Sequence, residues 1–277
     1  MKPFTTTYDP KEAGLNKIVQ ACLLKAYAGV ERTGLLSTAW GRSAFIASYG
    51  WYKRFLEAGD VEALHAYVRP GGVVFDIGAN VGFFTVRFAQ WVSEGGFVIA
   101  VEPEEANFRQ LSRTVEREGI ASVIRLFRGV AAERAGTLRL AVNPAHPGDH
   151  KIATEGIEVA AFTIDELAQD QRAGQVCLIK IDVQGAEERV LRGAHDIVQR
   201  DRPAIFVELD DDALRSMGSS LARVLAWLFE RDYVALKPAT GQRTQLLSGD
   251  EIGKLCSARK YIDLLFVHTS RIEGSTS

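Results

Sequence analysis

The segment VVFDIGANVG (73–82) combines glycine, asparagine and an acid at a spacing that suits ligand binding. Gly78, Asn80 and Gly82 occupy alternate positions directly behind five residues that are typical of a buried strand. Glycine adopts positive φ without steric cost, and it lets a ligand or the following helix come close to the backbone. We therefore predict a tight binding turn at the carboxyl end of a strand, where open α/β sheets hold their ligands.

An acid, Glu102, ends the next predicted strand, FVIAVEP (97–103). A carboxylate at this position can accept hydrogen bonds from both ribose hydroxyls of a nucleoside. The turn has the form D-x-G-x-N-x-G and lacks the three-glycine spacing that usually accompanies a pyrophosphate at a helix N-terminus. Asp76, which opens the turn, suits a positively charged ligand group. S-adenosylmethionine carries an ammonium and a sulfonium, so these residues favour it over NAD as the cofactor.

Three further side chains are candidates for removing a proton from a bound acceptor. Asp182 ends the strand VCLIKIDV and Glu208 lies near the end of PAIFVEL, so both are expected at the sheet edge that carries the turn. His150 belongs to the polar loop NPAHPGDHKIA, and histidine has an unperturbed pKa that suits a general base. Plainer interpretations stay open: Asp182 as a helix cap, His150 as a solvated loop residue, and the nearby Glu187 as an acid that complements a helix dipole.

Short β-branched runs alternate with helical patterns from residue 73 onwards. The runs predict core strands at 73–77, 97–103, 121–130, 176–183, 203–209, 233–237 and 260–269. Helices are predicted at 81–92, 104–118, 185–200 and 213–231, and two shorter strands, 137–142 and 157–162, flank the polar loop. Continuously apolar strands separated by helices indicate a doubly wound, mostly parallel α/β sheet that is buried on both faces.

The first quarter of the chain has a different pattern. Apolar residues at helical spacing in 15–27 and an aromatic-rich helical stretch at 43–57 precede a break at RPGG (69–72). We therefore predict an N-terminal helical cap over 1–70 and a ligand-binding domain over 71–277.

Composition narrows the classes of partner. The chain has 277 residues and a formal net charge of −2, so no basic surplus favours a nucleic acid. Its polar start lacks the apolar region of a signal peptide, and no apolar run is long enough to span a bilayer. Its three cysteines, Cys22, Cys177 and Cys256, have no metal-binding spacing. We expect a soluble, cytoplasmic protein with reduced thiols and no membrane span.

Three segments together resemble the FkbM family of S-adenosylmethionine-dependent methyltransferases: RPGGVVFDIGANVGFFTVRFA (69–89), VIAVEPEEANFRQL (98–111) and LIKIDVQGAEERVLRGA (178–194). Gln184 departs from the pattern, because the family usually has Glu there. The resemblance implies a class I methyltransferase fold, with a seven-stranded sheet whose one antiparallel edge strand would be KYIDLLFVHT. It implies a cofactor site formed by Asp76, Gly78, Ala79, Asn80, Gly82, Glu102, Pro103, Gly129, Val130 and Asp182, with the backbone at Gly129 and Val130 near the adenine.

The resemblance further implies O-methylation of a hydroxyl on a small, polyketide-type natural product or on a sugar or glycan. For that reaction the candidate catalytic residues are the three proton acceptors named above, Asp182, His150 and Glu208. The leading expectation involves no metal. An alternative is a divalent-metal-dependent O-methyltransferase in which Asp182 and Glu208 are the ligands. A nucleic-acid methyltransferase and a non-catalytic binding protein are less favoured. The sequence leaves open which acceptor is used and whether the chain forms a homodimer.

Overall fold

The structure, a computed structural model, describes residues 61–92, 95–142, 150–169, 174–237, 245–259 and 261–273. These residues belong to one compact unit, Asp60–Ser277. Most of the predicted helical cap and the loop residues 143–149 lie outside the described residues, so the domain boundary at residue 70 stays a prediction.

The described strands, in chain order, are β1 Val73–Ile77, β2 Phe97–Glu102, β3 Ile124–Arg128, β4 Val130–Ala131, β5 Gly136–Ala141, β6 Lys151–Ala153, β7 Ile157–Phe162, β8 Val176–Ile181, β9 Ala204–Leu209, β10 Tyr233–Lys237, β11 Gln245–Leu247 and β12 Ile262–His268. The α-helices are α1 Phe83–Trp91, α2 Glu105–Arg117, α3 Ile164–Leu167, α4 Glu187–Arg192, α5 His195–Asp201, α6 Asp211–Ser216, α7 Leu221–Phe229, α8 Gly249–Ala258 and α9 Thr269–Glu273. Short 3-10 helices occupy Ala63–Tyr67 and Ala121–Val123.

The larger sheet has the strand order β11-β10-β12-β9-β8-β1-β2-β3. β3, β2, β1, β8 and β9 are parallel, and β12 runs antiparallel to both of its neighbours, β9 and β10. From β1 the chain first builds outward through β2 and β3 and later returns to the other side of β1 with β8. The switch point of this doubly wound sheet therefore lies between β1 and β8, where ligands bind in such folds.

Four details of the predicted architecture are wrong. Within the described residues the larger sheet has eight strands and not seven, because the short β11 pairs with β10. The reversed strand β12 lies between β9 and β10 and not at an edge, and helix α8 precedes it where no helix was expected. The two long predicted helices are each divided: Gly193 and Ala194 separate α4 from α5, and residues 217–220 separate α6 from α7.

Side-chain hydrogen bonds account for the extra helix ends. The Asp165 carboxylate accepts the backbone N–H groups of Asp196 and Ile197, and so caps the start of α5. Asp211 accepts the N–H of Leu221, the first residue of α7, at 2.8 Å. A periodic apolar pattern continues through such breaks, so periodicity alone predicted single helices.

The central strands are buried on both faces, as their apolar sequences predict. Every residue of β1, β2 and β8 is buried. One face packs against α5 and α7 through residues such as Phe75 and Ile179, and the other packs Val74 and Leu178 against Phe84 and Phe88 of α1. Charged residues within such strands are therefore withdrawn from water, which makes their partners informative.

A second sheet, with the order β4-β7-β5-β6, lies in the chain between β3 and α3. It contains the two predicted shorter strands and the two additional strands β4 and β6. Most of its side chains are at least partly exposed. In the part of the chain that the structure describes, no helix is long and apolar enough to cross a membrane.

Candidate active site

The predicted binding turn follows β1 and has the backbone that its glycines allow. Gly78, Asn80 and Gly82 all have positive φ, at 75°, 50° and 99°. A Cβ on Gly78 would lie 1.9 Å from the carbonyl oxygen of Asp182, so only glycine lets the turn meet the end of β8. A Cβ on Gly82 would lie 2.9 Å from Leu111 in α2. The two glycines therefore serve close packing against β8 and α2.

The backbone N–H groups of this turn are directed at the end of β2. Gly78 and Ala79 both donate to the carbonyl of Val101 at 3.0 Å, and Asn80 donates to Glu102 Oε2 at 2.8 Å. Gly82 donates to the carbonyl of Ala79 within the turn. A phosphate bound on a glycine-rich turn needs such N–H groups for itself. Because these four are engaged, the turn is poorly suited to a pyrophosphate.

Glu102 lies at the end of β2, in the centre of this arrangement. Its other oxygen, Oε1, accepts the N–H of Glu104 at 3.1 Å and the side-chain amide of Asn107 at 3.4 Å. Burial raises the pKa of Glu102 to about 7, although the N–H donors from Asn80 and Glu104 and the Asn107 amide counteract it. Further hydrogen-bond donors at this carboxylate would stabilise its ionised form.

Asp76 is fully buried beneath the turn, and the charge that faces it is the ammonium of Lys180. Lys180 Nζ lies 3.2 Å from Asp76 Oδ1, and Thr85 donates its hydroxyl to Asp76 Oδ2 at 2.6 Å. The sequence suggested that Asp76 meets a positively charged group of a ligand, but the cation beside it is a residue of the protein. A direct contact between Asp76 and a cofactor stays a prediction.

Strand register places the polar side chains of four strands on one face. Asp76 pairs with Ala100 of β2 and with Lys180 of β8, and Lys180 pairs with Phe206 of β9. Side chains two residues apart on a strand share a face. Glu102, Asp182 and Glu208 therefore follow their strands on the same face as Asp76 and Lys180, at the carboxyl edge of the sheet.

Asp182 lies at the switch point between β1 and β8. Its backbone N–H donates to the carbonyl of Ile77 at 3.1 Å, and its carboxylate is 3.8 Å from Lys180 Nζ. The Asp182 side chain is 26% exposed, whereas those of Asp76 and Lys180 are 0% and 3% exposed. Of these three side chains, that of Asp182 is therefore the most exposed to solvent.

Glu187 begins α4 and is buried against the turn that follows Asp182. Its Oε1 accepts the N–H of Gly185 at 3.0 Å, while its Oε2 is buried without a hydrogen-bond partner among the described residues. Burial raises the pKa of Glu187 to about 7, and the nearby charge of Asp182 contributes. The carboxyl group supports a turn in which Gln184 and Gly185 both have positive φ.

The raised pKa of Glu187 makes the stability of the protein depend on pH. The folded state holds this proton more tightly than the unfolded state, so the associated stabilisation is complete below about pH 4.5 and is lost as the pH rises through about 7. A shift of this size corresponds to about 3 kcal/mol. We expect Glu187→Gln, which keeps an oxygen acceptor for Gly185, to lose less stability than the wild type between pH 5.5 and 8 in urea unfolding. The exposed Glu116→Gln is the matched control, and equal pH slopes in all three proteins would contradict the assignment.

Of the other predicted site residues, most lie at the carboxyl edge of the larger sheet, and His150 lies next to the second sheet. Glu208 is half-buried at the end of β9 and pairs across strands with Asp263. Gly129 follows β3, and its N–H donates to the carbonyl of Glu102 at 3.2 Å, so Gly129 and Val130 do lie beside the end of β2. Pro103 follows Glu102 directly. His150 precedes β6 in the second sheet, so it is not carried by a strand end of the larger sheet.

Two residues of the site were not predicted. The apolar pattern predicts Lys180 only as part of a strand, although a single charge inside the run VCLIKI, two residues before an acid, is a signal that indicates it. Its position at the start of a helix predicts Glu187 only as an acid that complements the helix dipole. Within the described ranges, no group of three or more histidine, cysteine or acidic side chains is arranged to hold a metal ion.

The doubly wound sheet, its reversed strand beside β9, the turn after β1 and the acid that ends β2 together define a class I methyltransferase fold. The profile of the methyltransferase FkbM domain matches residues 76–235, which is more than half of the chain. The protein therefore belongs to the FkbM methyltransferase family and is a methyltransferase enzyme.

Several known proteins are similar to this chain. It is 25% identical over 226 residues to the 31-O-demethyl-FK506 methyltransferase FkbM of Streptomyces tacrolimicus, a match that covers 69% of this chain and 82% of the relative. It is 30% identical over 129 residues to the hexuronic acid methyltransferase AglP of Haloferax volcanii, covering 46% and 52%. The crystal structure of an FkbM methyltransferase from Methylobacillus flagellatus matches with a TM-score of 0.45 and 18% identity, covering 79% of this chain and 53% of that one. The chain thus spans only about half the length of the last two.

Proposed function

We propose that this methyltransferase uses S-adenosylmethionine and methylates a hydroxyl group of a small natural product or of a sugar unit. The observation that carries the choice of cofactor is the use of the turn's N–H groups by the end of β2. In that arrangement the N–H groups of Gly78, Ala79, Asn80 and Gly82 are already engaged within the protein, so they are not available to a dinucleotide's pyrophosphate.

The residues at the turn fit the nucleoside part of this cofactor. Glu102 is an acid whose burial raises its pKa to about 7, and two ribose hydroxyls would supply donors that favour its charged form. Gly129 and Val130 lie beside Glu102, where an adenine attached to that ribose would extend. Asp76 and Lys180 close the floor of the turn as a buried ion pair.

The cofactor supplies the activated methyl group, and the residues of the chain have the remaining tasks. The turn after β1 fixes the donor side and the end of β8 fixes the acceptor side. Contact between Gly78 and Asp182 brings the two sides together, which suits an in-line displacement. Asp182, partly exposed, accepts the proton of the acceptor hydroxyl as the new bond to oxygen forms.

The choice of acceptor rests on the family and its named members. One similar protein is named for a methyl group on an oxygen of FK506 and another for hexuronic acid. We propose a hydroxyl acceptor of one of these two classes, a cytoplasmic location, and a metal-independent reaction. The metal-dependent alternative, with Asp182 and Glu208 as ligands, is decided by adding EDTA to the assay and then restoring Mg²⁺.

We expect the purified protein to bind S-adenosylmethionine and S-adenosylhomocysteine in calorimetric titrations and to bind NAD far more weakly. The physical reason is the engagement of the N–H groups of Gly78, Ala79, Asn80 and Gly82 within the protein, together with the acid at the end of β2. Tighter binding of NAD would overturn the choice of cofactor. A panel of macrolides with free hydroxyls and of hexuronic acids, incubated with methyl-labelled cofactor, then identifies the acceptor class.

A further inference from the structure

Lys180 is a buried cation whose ammonium contacts the binding turn from below. Its Nζ donates to the carbonyl of Gly78 at 2.7 Å and to that of Ile77 at 3.2 Å. The same Nζ lies 3.2 Å from Asp76, 3.8 Å from Asp182 and 5.1 Å from the ring centroid of Phe84. The end of β1, the turn after it, the end of β8 and α1 are thus all in contact with one side chain.

A buried ion pair is a weak source of stability in itself, because desolvation offsets most of the attraction between the charges. If Lys180 served only to neutralise Asp76, an apolar residue facing a neutral side chain would replace the pair at little cost. The hydrogen bonds to Ile77 and Gly78 are different, because they fix carbonyl groups of the turn that receives the ligand. Asp76 Oδ1 has no hydrogen bond of ordinary geometry among the described residues, so the ion pair with Lys180 is what compensates it.

We propose that Lys180 is the positioning residue of the cofactor turn, holding the carbonyls of Ile77 and Gly78 in the conformation that binds the methyl donor. This inference rests on the proposed function, since it assigns the turn to S-adenosylmethionine. Lys180 acts through the backbone and does not touch the reacting atoms. Its ammonium also places a counter-charge beside Asp182, so the donor and acceptor sides share one anchor.

The test separates the role of the lysine from that of the ion pair. Asp76→Asn removes the acid and keeps the ammonium on the turn, whereas Asp76→Asn with Lys180→Met removes both charges together. The double variant removes the buried Asp76–Lys180 pair as a whole, and Asp182, which loses a counter-charge, is partly exposed to water, so the variant is expected to melt close to the wild type. Lys237→Met, at an exposed position on β10 of the same sheet, is the matched control for the change from lysine to methionine.

Calorimetry with S-adenosylhomocysteine gives the decisive measurement and needs no acceptor. A hydrogen bond from a charged group is worth about 1.5–3 kcal/mol, so the double variant should bind about 10- to 150-fold more weakly than Asp76→Asn. Lys237→Met should bind like the wild type. Equal affinities of Asp76→Asn and the double variant would overturn the proposal, because the ammonium would then serve only the ion pair.

A further variant keeps the test decisive if the double variant does not fold. Asp76→Asn with Lys180→Leu also lacks a donor to the carbonyls of Ile77 and Gly78, and the same comparison with Asp76→Asn applies to it. Failure of the proposed function has a different signature: the wild type itself would not bind S-adenosylhomocysteine. If the wild type binds and the folded double variant binds as tightly as Asp76→Asn, only the role of Lys180 is contradicted.

Discussion

Asp182→Asn is expected to lower kcat by about 10²–10⁴-fold, the usual contribution of a general base. Asparagine has nearly the same size, so the contact between Gly78 and the Asp182 backbone should survive and the charge alone is tested. Affinity for S-adenosylhomocysteine should stay within a few-fold of the wild type. The measurement is initial rate with the acceptor found in the panel, together with calorimetry on the same protein preparation.

The matched control is Asp212→Asn, which makes the same change at an exposed position at the start of α6. Asp212 is not one of the residues that share a face at the carboxyl edge of the sheet. Activity of Asp182→Asn within about threefold of the wild type would show that Asp182 is no base, and Glu208 or His150 would be tested next. Recovery of a collapsed activity by excess Mg²⁺ would support the metal-dependent alternative. A collapse of cofactor affinity would show that Asp182 does not face the acceptor.

Glu102→Ala is expected to weaken cofactor binding by about 10- to 150-fold, because charge-assisted hydrogen bonds to two ribose hydroxyls contribute about 1.5–3 kcal/mol. The structure adds a second reason, since the same carboxylate accepts the N–H groups of Asn80 and Glu104 and so shapes the turn. Glu102→Gln separates these effects, because it keeps an acceptor oxygen but loses the charge.

Calorimetry with S-adenosylhomocysteine measures the effect, and a melting curve without ligand shows whether the fold is retained. The control is Glu105→Ala, two positions after Pro103, where the side chain is 55% exposed. An unchanged dissociation constant in both Glu102 variants would mean that this carboxylate does not face the ribose.

Much of the fold could be predicted because its signals are local. The strands VVFDI and YVALK and the shorter strand IEVAAF have the predicted bounds, since each is a short, largely apolar run with a glycine or a proline beside it. The strand order and the position of β12 could not be predicted in this way. They depend on pairing between segments far apart in the chain, and a run such as KYIDLLFVHT has the same pattern at an edge as in the interior.

In the site, too, features that are close in the chain could be predicted and contacts between distant residues could not. Glycine positions and acids at strand ends are visible in the sequence because their spacing is short. The partner of Asp76 is not, because Lys180 is 104 residues away in the chain and meets Asp76 only through the register of β1 and β8. The positive charge that Asp76 predicts for a ligand is therefore found on a side chain of the protein itself.

The second sheet has a consequence for how such enzymes diversify. β5, β6 and β7 pair with one another, and the segment rejoins the body through β4, through the hydrogen bond from Ala132 to the carbonyl of Phe162, and where Gly193 approaches Ala132. Most backbone pairing of β5 and β6 is thus made within the second sheet, whereas β7 also pairs with β4. We therefore expect changes of length in the exposed part of this sheet to be tolerated. The strand ends that hold Gly78, Glu102 and Asp182 belong to the larger sheet, so such changes would alter a surface and leave those strand ends in place.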